Sequence, residues 1–249
     1  MFANLLYGDT RTKIATRHAL IGPDSHVPSC IPGIEKATPV ILISAGMGAG
    51  LTQILVTFQE SGSAFFEADA YERFVYVLTG SIRVEVDGQE HQMAEGGYAF
   101  APADQTCRLF DPSSGTRINL FIKKYVALDA TPIPPCVVGR QSDVPSTPFM
   151  GDETARLQFL LPDTLSFDMG VNIFNYESGT RLPFVETHIM EHGLLMLEGE
   201  GIYRLEDAWY PVAAGDCIWM APYCPQWFVA MGPTKSRYLY YKDINRTPL

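Results

Sequence analysis

Near the end of the chain, two carboxylates and two imidazoles fall within seven residues, in the run Glu186-Thr-His-Ile-Met-Glu-His192. The chain has five histidines, and no other stretch brings two of them so close. In an extended strand the side chains alternate, so residues 186, 188, 190 and 192 share one face. Glu186, His188 and His192 would then point into a common space, whereas on a helix residues six apart diverge. Three convergent oxygen and nitrogen donors suit a divalent transition ion. The alternative is a pair of interior histidines bonded to each other. Glu191 faces away from the shared side in this strand, so it is expected to be structural or on the surface.

A β framework must position these residues. From residue 39 onward the chain is a succession of short apolar or alternating runs separated by Gly, Pro and Asp. Pro39-Val-Ile-Leu-Ile-Ser44, Leu51 to Phe58 and Phe74 to Leu78 read as strands. Ser81-Ile-Arg-Val-Glu-Val86 alternates cleanly, with Ile82, Val84 and Val86 inward, and Asp87-Gly88 after it is a hairpin signal. No convincing amphipathic helix interrupts the series. Residues 129–148 are rich in proline and polar groups and read as a linker. A second β series follows, and it repeats the first. Ala70 to Gly80 aligns with Ile189 to Gly199 at an offset of 119, and Glu95-Gly96 falls on Ala214-Gly215. An all-β repeat of this length implies two copies of one domain. The offset places Glu67, Asp69 and Arg73 under Glu186, His188 and His192. The first copy thus puts a cation where a metal ligand would sit, and no metal site is expected there.

The expected organisation is an irregular N-terminal arm (1–38) packed on the first domain or on a partner, a first barrel (39–128), a linker (129–150) and a second barrel (151–249). A formal charge of -10 and a pI of about 4.9 argue against nucleic acid, which needs a basic surface, and against an anionic membrane surface. The chain is 47% hydrophobic, enough for a substantial core, and it contains no apolar run long enough to span a membrane. Its first residues lack the basic and apolar regions of a signal peptide. The five cysteines are scattered, which suits a reducing compartment, so a cytoplasmic location is expected. Cys217 and Cys224 are read as core or near-site residues, and His18 and His26 as loop residues.

The pattern Gly-x6-Glu-x-His-x3-His-x6-Gly over 179–199, followed by Gly215, Pro222 and Gln226, resembles the two motifs of the cupin superfamily. The ligand types are permuted: Glu186 stands where histidine is usual, and His192 stands where glutamate is usual. The set Glu, His, His and Gln resembles that of the bicupin (S)-ureidoglycine aminohydrolases of purine and allantoin catabolism. Glu-Thr-His-x-x-Glu-His-Gly, Gly-x-Gly-x-Tyr and Tyr-x-Lys-Asp-x-Asn-Arg near the C-terminus agree with that family in order. The resemblance implies two tandem jelly-roll barrels and a metal-dependent hydrolase that releases ammonia from (S)-ureidoglycine. It implies Mn²⁺ held by Glu186, His188, His192 and Gln226, because carboxylate and amide oxygens favour a harder ion. Glu186 would also take a proton during the reaction. Lys242 and Tyr238 would contact the small substrate, with Lys242 close to the chemistry, and Tyr203 would line the same mouth. A homo-oligomer is expected. The alternatives are a different Mn or Fe bicupin enzyme, an oxygenase or oxidase, and a non-catalytic cupin that binds a small ligand.

Overall fold

The computed structural model describes residues 10–246, so most of the stretch read for a leader lies outside the described residues. Twenty strands and three short 3-10 turns make up the regular structure among these residues, with no α-helix. The first copy contributes β1 (Lys13–Ile14), β2 (His18–Ile21), β3 (Ile34–Ile43), β4 (Leu51–Phe66), β5 (Tyr71–Thr79), β6 (Ser81–Val86), β7 (Gln89–Ala94), β8 (Gly97–Ala101), β9 (Cys107–Phe110) and β10 (Arg117–Lys124). The second contributes β11 (Val137–Arg140), β12 (Thr147–Phe149), β13 (Asp152–Phe159), β14 (Met169–Tyr176), β15 (His192–Glu198), β16 (Glu200–Leu205), β17 (Ala208–Ala213), β18 (Cys217–Met220), β19 (Gln226–Ala230) and β20 (Ser236–Asp243). The predicted alternation holds: Ile82, Val84 and Val86 are buried, while Arg83 and Glu85 are partly exposed. No helix among the described residues is long and apolar enough to cross a membrane.

The repeat is visible strand for strand. Ser81–Val86 and Gln89–Ala94 are displaced by 119 onto Glu200–Leu205 and Ala208–Ala213. Each copy folds as a two-layered jelly roll. In the second, the order β1-β2-β18-β15-β20-β14-β13-β12 faces the small sheet β17-β16-β19. In the first, β11-β8-β5-β10-β4 continues along the long strand β4 into β9-β6-β7. Each barrel has its own apolar interior. A third cluster joins the two large sheets, where Phe121 meets Tyr241 and Phe100 meets Phe167. One turn recurs in both copies. Gly80 and Gly199 both take a left-handed φ near 80°, and a Cβ at Gly199 would lie 2.4 Å from the Lys235 carbonyl oxygen. Only glycine fits such a turn without strain.

Three features differ from the sequence expectation. The arm is divided between the barrels: its end, from the Pro28–Val40 bridge through Thr38, lies on the first barrel as expected, but β2 pairs with β18 of the second, with Ala19 opposite Trp219. The linker is not irregular throughout, because β11 within it pairs with β8 of the first barrel and β12 joins the sheet of the second. Each copy therefore lends its leading strand to the other. Finally, residues 186–192 are not one strand. β4 is continuous for 16 residues, but its counterpart in the second copy ends at Tyr176, and only the bridges Arg181 to Val229 and Glu186 to Gln226 follow. The Glu191 N–H donates to the Asp243 carboxylate rather than to a neighbouring strand, so the ladder resumes only at His192.

Candidate functional site

The broken strand delivers the expected residues to one place by a different route. Glu186 and Gln226 exchange backbone hydrogen bonds of 2.8 and 2.9 Å, which sets their side chains next to each other. The Tyr223 N–H anchors the His188 carbonyl at 2.7 Å. His192 opens β15 and lies opposite both Met220 and Lys242. Tyr238, Tyr240 and Lys242 alternate along β20, so all three face the barrel interior. A cavity of about 280 Å³ inside the second barrel is lined by Glu186, His188, His192, Gln226, Tyr203 and Lys242, among others. Every residue that the sequence assigned to the site, Tyr238 included, borders it.

Within the cavity the two imidazoles meet edge-on, with ring centroids 4.8 Å apart. The Nε2 atoms of His188 and His192 are 3.2 Å apart, and the side-chain nitrogen of Gln226 lies 3.1 Å from His188 Nε2. His192 Nδ1 donates to the Tyr241 carbonyl at 3.1 Å, which leaves the His192 Nε2 lone pair facing His188. Burial, and then His188, hold His192 down to about 3, and burial lowers His188 as well, so both rings are neutral. With His192 Nε2 an acceptor, His188 Nε2 cannot donate to it and also accept from Gln226. With the His188 proton on Nδ1, both Nε2 lone pairs converge on this point, where a divalent cation fits between the rings. Among the described residues no three His, Cys, Asp or Glu side chains gather closely enough to hold an ion. The third partner of the two rings here is an amide, with Glu186 on the same cavity wall. The two neutral imidazoles and Glu186 fit a metal ion, and Gln226 fits once its amide is turned, because its nitrogen and not its oxygen faces His188 here.

Charge and hydrogen bonding separate the other residues. Burial raises the Glu186 carboxyl, and Lys242 across the cavity opposes that shift. The Tyr203 hydroxyl donates to Gln226 Oε1 at 3.3 Å, so this phenol steadies the amide as well as lining the mouth. The Tyr238 hydroxyl is 2.9 Å from that of Tyr176. Glu191 is buried, not on the surface. It accepts from Trp219 Nε1 at 2.7 Å and from the Gly50 N–H of the first barrel at 3.1 Å, and burial pushes it up to about 7. Tyr240 was not singled out in the sequence. Its ring stands edge-on to His192 at 5.5 Å, and period-two spacing between Tyr238 and Lys242 carried the signal. Phe149 and Phe174, which form an apolar wall, lie on strands whose inward faces the sequence did not tie to the site.

The twin site is closed. Arg73 occupies the place of His192. It pairs with Asp69 at 2.7 Å and lies over the Phe66 ring at 5.2 Å. Backbone pairing sets Phe66 opposite Cys107, as Glu186 is set opposite Gln226. Phe66, not Glu67, therefore holds the equivalent of the carboxylate position. Ile118, Leu120 and Ile122 stand where Tyr238, Tyr240 and Lys242 stand, by their pairing to β5 and β15.

Comparison with known proteins gives the family of the chain. The cupin domain family matches residues 54–114, within the first barrel. A rice protein (Oryza sativa subsp. japonica) named "Probable (S)-ureidoglycine aminohydrolase" is 39% identical over 98% of this chain and 78% of its own length. The (S)-ureidoglycine aminohydrolase of Arabidopsis thaliana is 36% identical over 98% of this chain and 81% of its own. That of Escherichia coli is 32% identical over 92% and 88%. The chain belongs to the (S)-ureidoglycine aminohydrolase family. Among solved structures, a putative glyoxylate-induced protein from Pseudomonas aeruginosa has a TM-score of 0.89 at 30% identity, covering 100% of this chain and 95% of that one. The protein Ylba from Escherichia coli has a TM-score of 0.85 at 29% identity and 96% coverage of each chain.

Proposed function

We propose that the second barrel hydrolyses (S)-ureidoglycine to (S)-ureidoglycolate and ammonia in purine catabolism. Water replaces the amino group on the carbon that bears the ureido and carboxylate groups. One C–O bond forms, one C–N bond breaks, and a proton passes from water to the departing nitrogen. The convergence of two neutral imidazoles, an amide, Glu186 and Lys242 in one small cavity carries this reading, together with the family of the chain.

The ion we assign is Mn²⁺, held by Glu186, His188, His192 and Gln226. When bound, it supplies a Lewis-acid charge against which the substrate's amine and carboxylate end is held. Lys242 attracts the substrate carboxylate through a charge-assisted hydrogen bond. Glu186, already raised by burial, accepts a proton from the attacking water and returns it to the leaving amine. Tyr203 and Tyr238 shape the mouth, and the aromatic wall excludes bulk water. The protein is placed in the cytoplasm, where its five unpaired cysteines remain reduced, and is taken to act as a homo-oligomer.

Ammonia release from ureidoglycine, generated in place from allantoate, tests the assignment. Metal-loaded protein should release ammonia well above the uncatalysed rate and leave the S enantiomer of the product. Release no faster than the uncatalysed background would overturn it.

A further inference from the structure

A second cavity, of about 760 Å³, lies between the barrels, away from the site described above. It straddles the axis relating the two copies: Tyr76 and Leu78 of β5 line one side, and their repeat mates Leu195 and Leu197 of β15 line the other. Two arginines face it from equivalent places. Arg117 lies opposite Thr79 in the pairing of β10 with β5, as Arg237 lies opposite Glu198 in the pairing of β20 with β15. A third guanidinium, Arg140, enters from β11.

The symmetry of the scaffold is not matched by its charge. Arg237 bonds Asn175 Oδ1 at 3.0 Å and the Glu198 carboxylate at 3.4 Å. Thr79 stands in the place of Glu198, so Arg117 lacks the carboxylate that its mate has. Neither Arg117 nor Arg140 forms an ion pair among the described residues, and both are exposed to solvent. Three guanidiniums against the carboxylates of Glu95 and Glu198 leave the walls positive, in a chain whose formal charge is -10. The floor is rigid: the Tyr76 hydroxyl donates to Gln141 Oε1 at 2.8 Å, and Gln141 Nε2 donates to Gln158 Oε1 at 2.9 Å. These bonds fix the segment that carries Arg140. Arginine forks in a shaped, polar recess match the planar or tetrahedral oxygens of carboxylate and phosphate groups.

We propose that this cavity is a second binding site, for a small multiply charged anion. One oxyanion group sits against Arg117 and Arg140 and takes the part that Glu198 plays for Arg237.

Calorimetric titration of the metal-loaded full chain with succinate and with inorganic phosphate, which do not strip the metal as chelating anions would, at fixed ionic strength set by sodium chloride, tests the proposal and separates carboxylate from phosphate ligands. Saturable binding of at least one probe is expected. The double variant R117A/R140A should bind it about tenfold more weakly or less. Thr79→Glu should weaken it comparably while keeping every cation, because the new carboxylate occupies the site from within. Ammonia release by T79E should stay within about twofold of the parent, since catalysis lies in the other cavity. Failure of both probes to bind would overturn the proposal, as would equal binding by the parent and T79E. So would variants that alter sedimentation without altering anion binding, because the arginines would then serve contact with a second copy.

Discussion

Two contacts of one imidazole carry most of the chemistry at the level of single residues. With its proton on Nδ1, His188 turns its Nε2 lone pair toward that of His192, and a cation between them relieves the repulsion. His192→Ala should therefore lose bound metal, from about one ion per chain to near none after dialysis, as read by elemental analysis. Full metal content in H192A would remove His192 from the ligand set. Glu186→Gln divides the two roles assigned to that carboxylate. An amide oxygen still binds an ion but takes up no proton, so metal content should fall only in part while turnover falls by about 100-fold or more. A variant with full metal and full turnover would leave Glu186 without a catalytic role. Lys242→Met removes one charge-assisted hydrogen bond to the substrate carboxylate. The loss is about 1.5–3 kcal/mol, or roughly 10- to 150-fold in kcat/KM, appearing mainly as a higher KM. An unchanged KM would place Lys242 outside substrate binding.

Among the elements, the exchanged leading strands are what the sequence concealed. Strand alternation at 81–86, the repeat of 119 and the Glu-His-His spacing are local patterns, and each was legible. The partner of β2 lies about two hundred residues downstream, and no local pattern specifies a pairing at that distance. The break after Tyr176 was hidden for a related reason, because the Asp243 side chain takes the Glu191 N–H that a ladder would have used. The five residues expected as ligands and lysine share one cavity, because the motif fixes residue types. Phe149 and Phe174 were not legible, because an apolar residue on a β face reads the same in a core and in a pocket wall. The exchange also has an anchor. Arg11, just before β1, grips the fully buried Asp216 carboxylate through two hydrogen bonds of 2.6 and 2.8 Å. Arg11→Ala leaves Asp216 with the Ala213 N–H at 2.8 Å and no cation. With Arg11 46% exposed, solvent screens part of the pair, and a loss of about 1–2 kcal/mol in unfolding free energy is expected. Denaturant titration at neutral pH measures it, and an unchanged midpoint would show that the arm does not brace the second barrel.

Over the whole molecule, the repeat relates two buried acidic side chains at the junction of the copies. Glu191 reaches from the second barrel to the Gly50 N–H of the first. Its mate Glu72 is fully buried, with both oxygens unpartnered, and faces Asp168 of the second barrel, which Lys123 binds. Burial, with Asp168 adding to it, pushes Glu72 up to about 9 from an ordinary 4.5. A carboxyl raised on folding binds more protons in the native state than in the unfolded chain. Its stabilising contribution is therefore complete below about 4.5 and is lost as pH rises through 9. Glu191, raised to about 7, acts in the same direction over a narrower span. His192, depressed to about 3, acts in the opposite direction, but only below its ordinary value of 6.5. Between pH 7 and 8, below the range in which the thiols raised by burial ionise in the unfolded chain, Glu72 dominates these three, and it should cost at most about 1.4 kcal/mol of stability per pH unit. Glu72→Gln keeps the shape and cannot ionise. Unfolding free energies of the metal-free protein should therefore fall across that interval in the parent and stay nearly level in E72Q. Parallel slopes for the two proteins would mean that Glu72 is already ionised in the native state and that Lys123 neutralises both carboxylates across the junction.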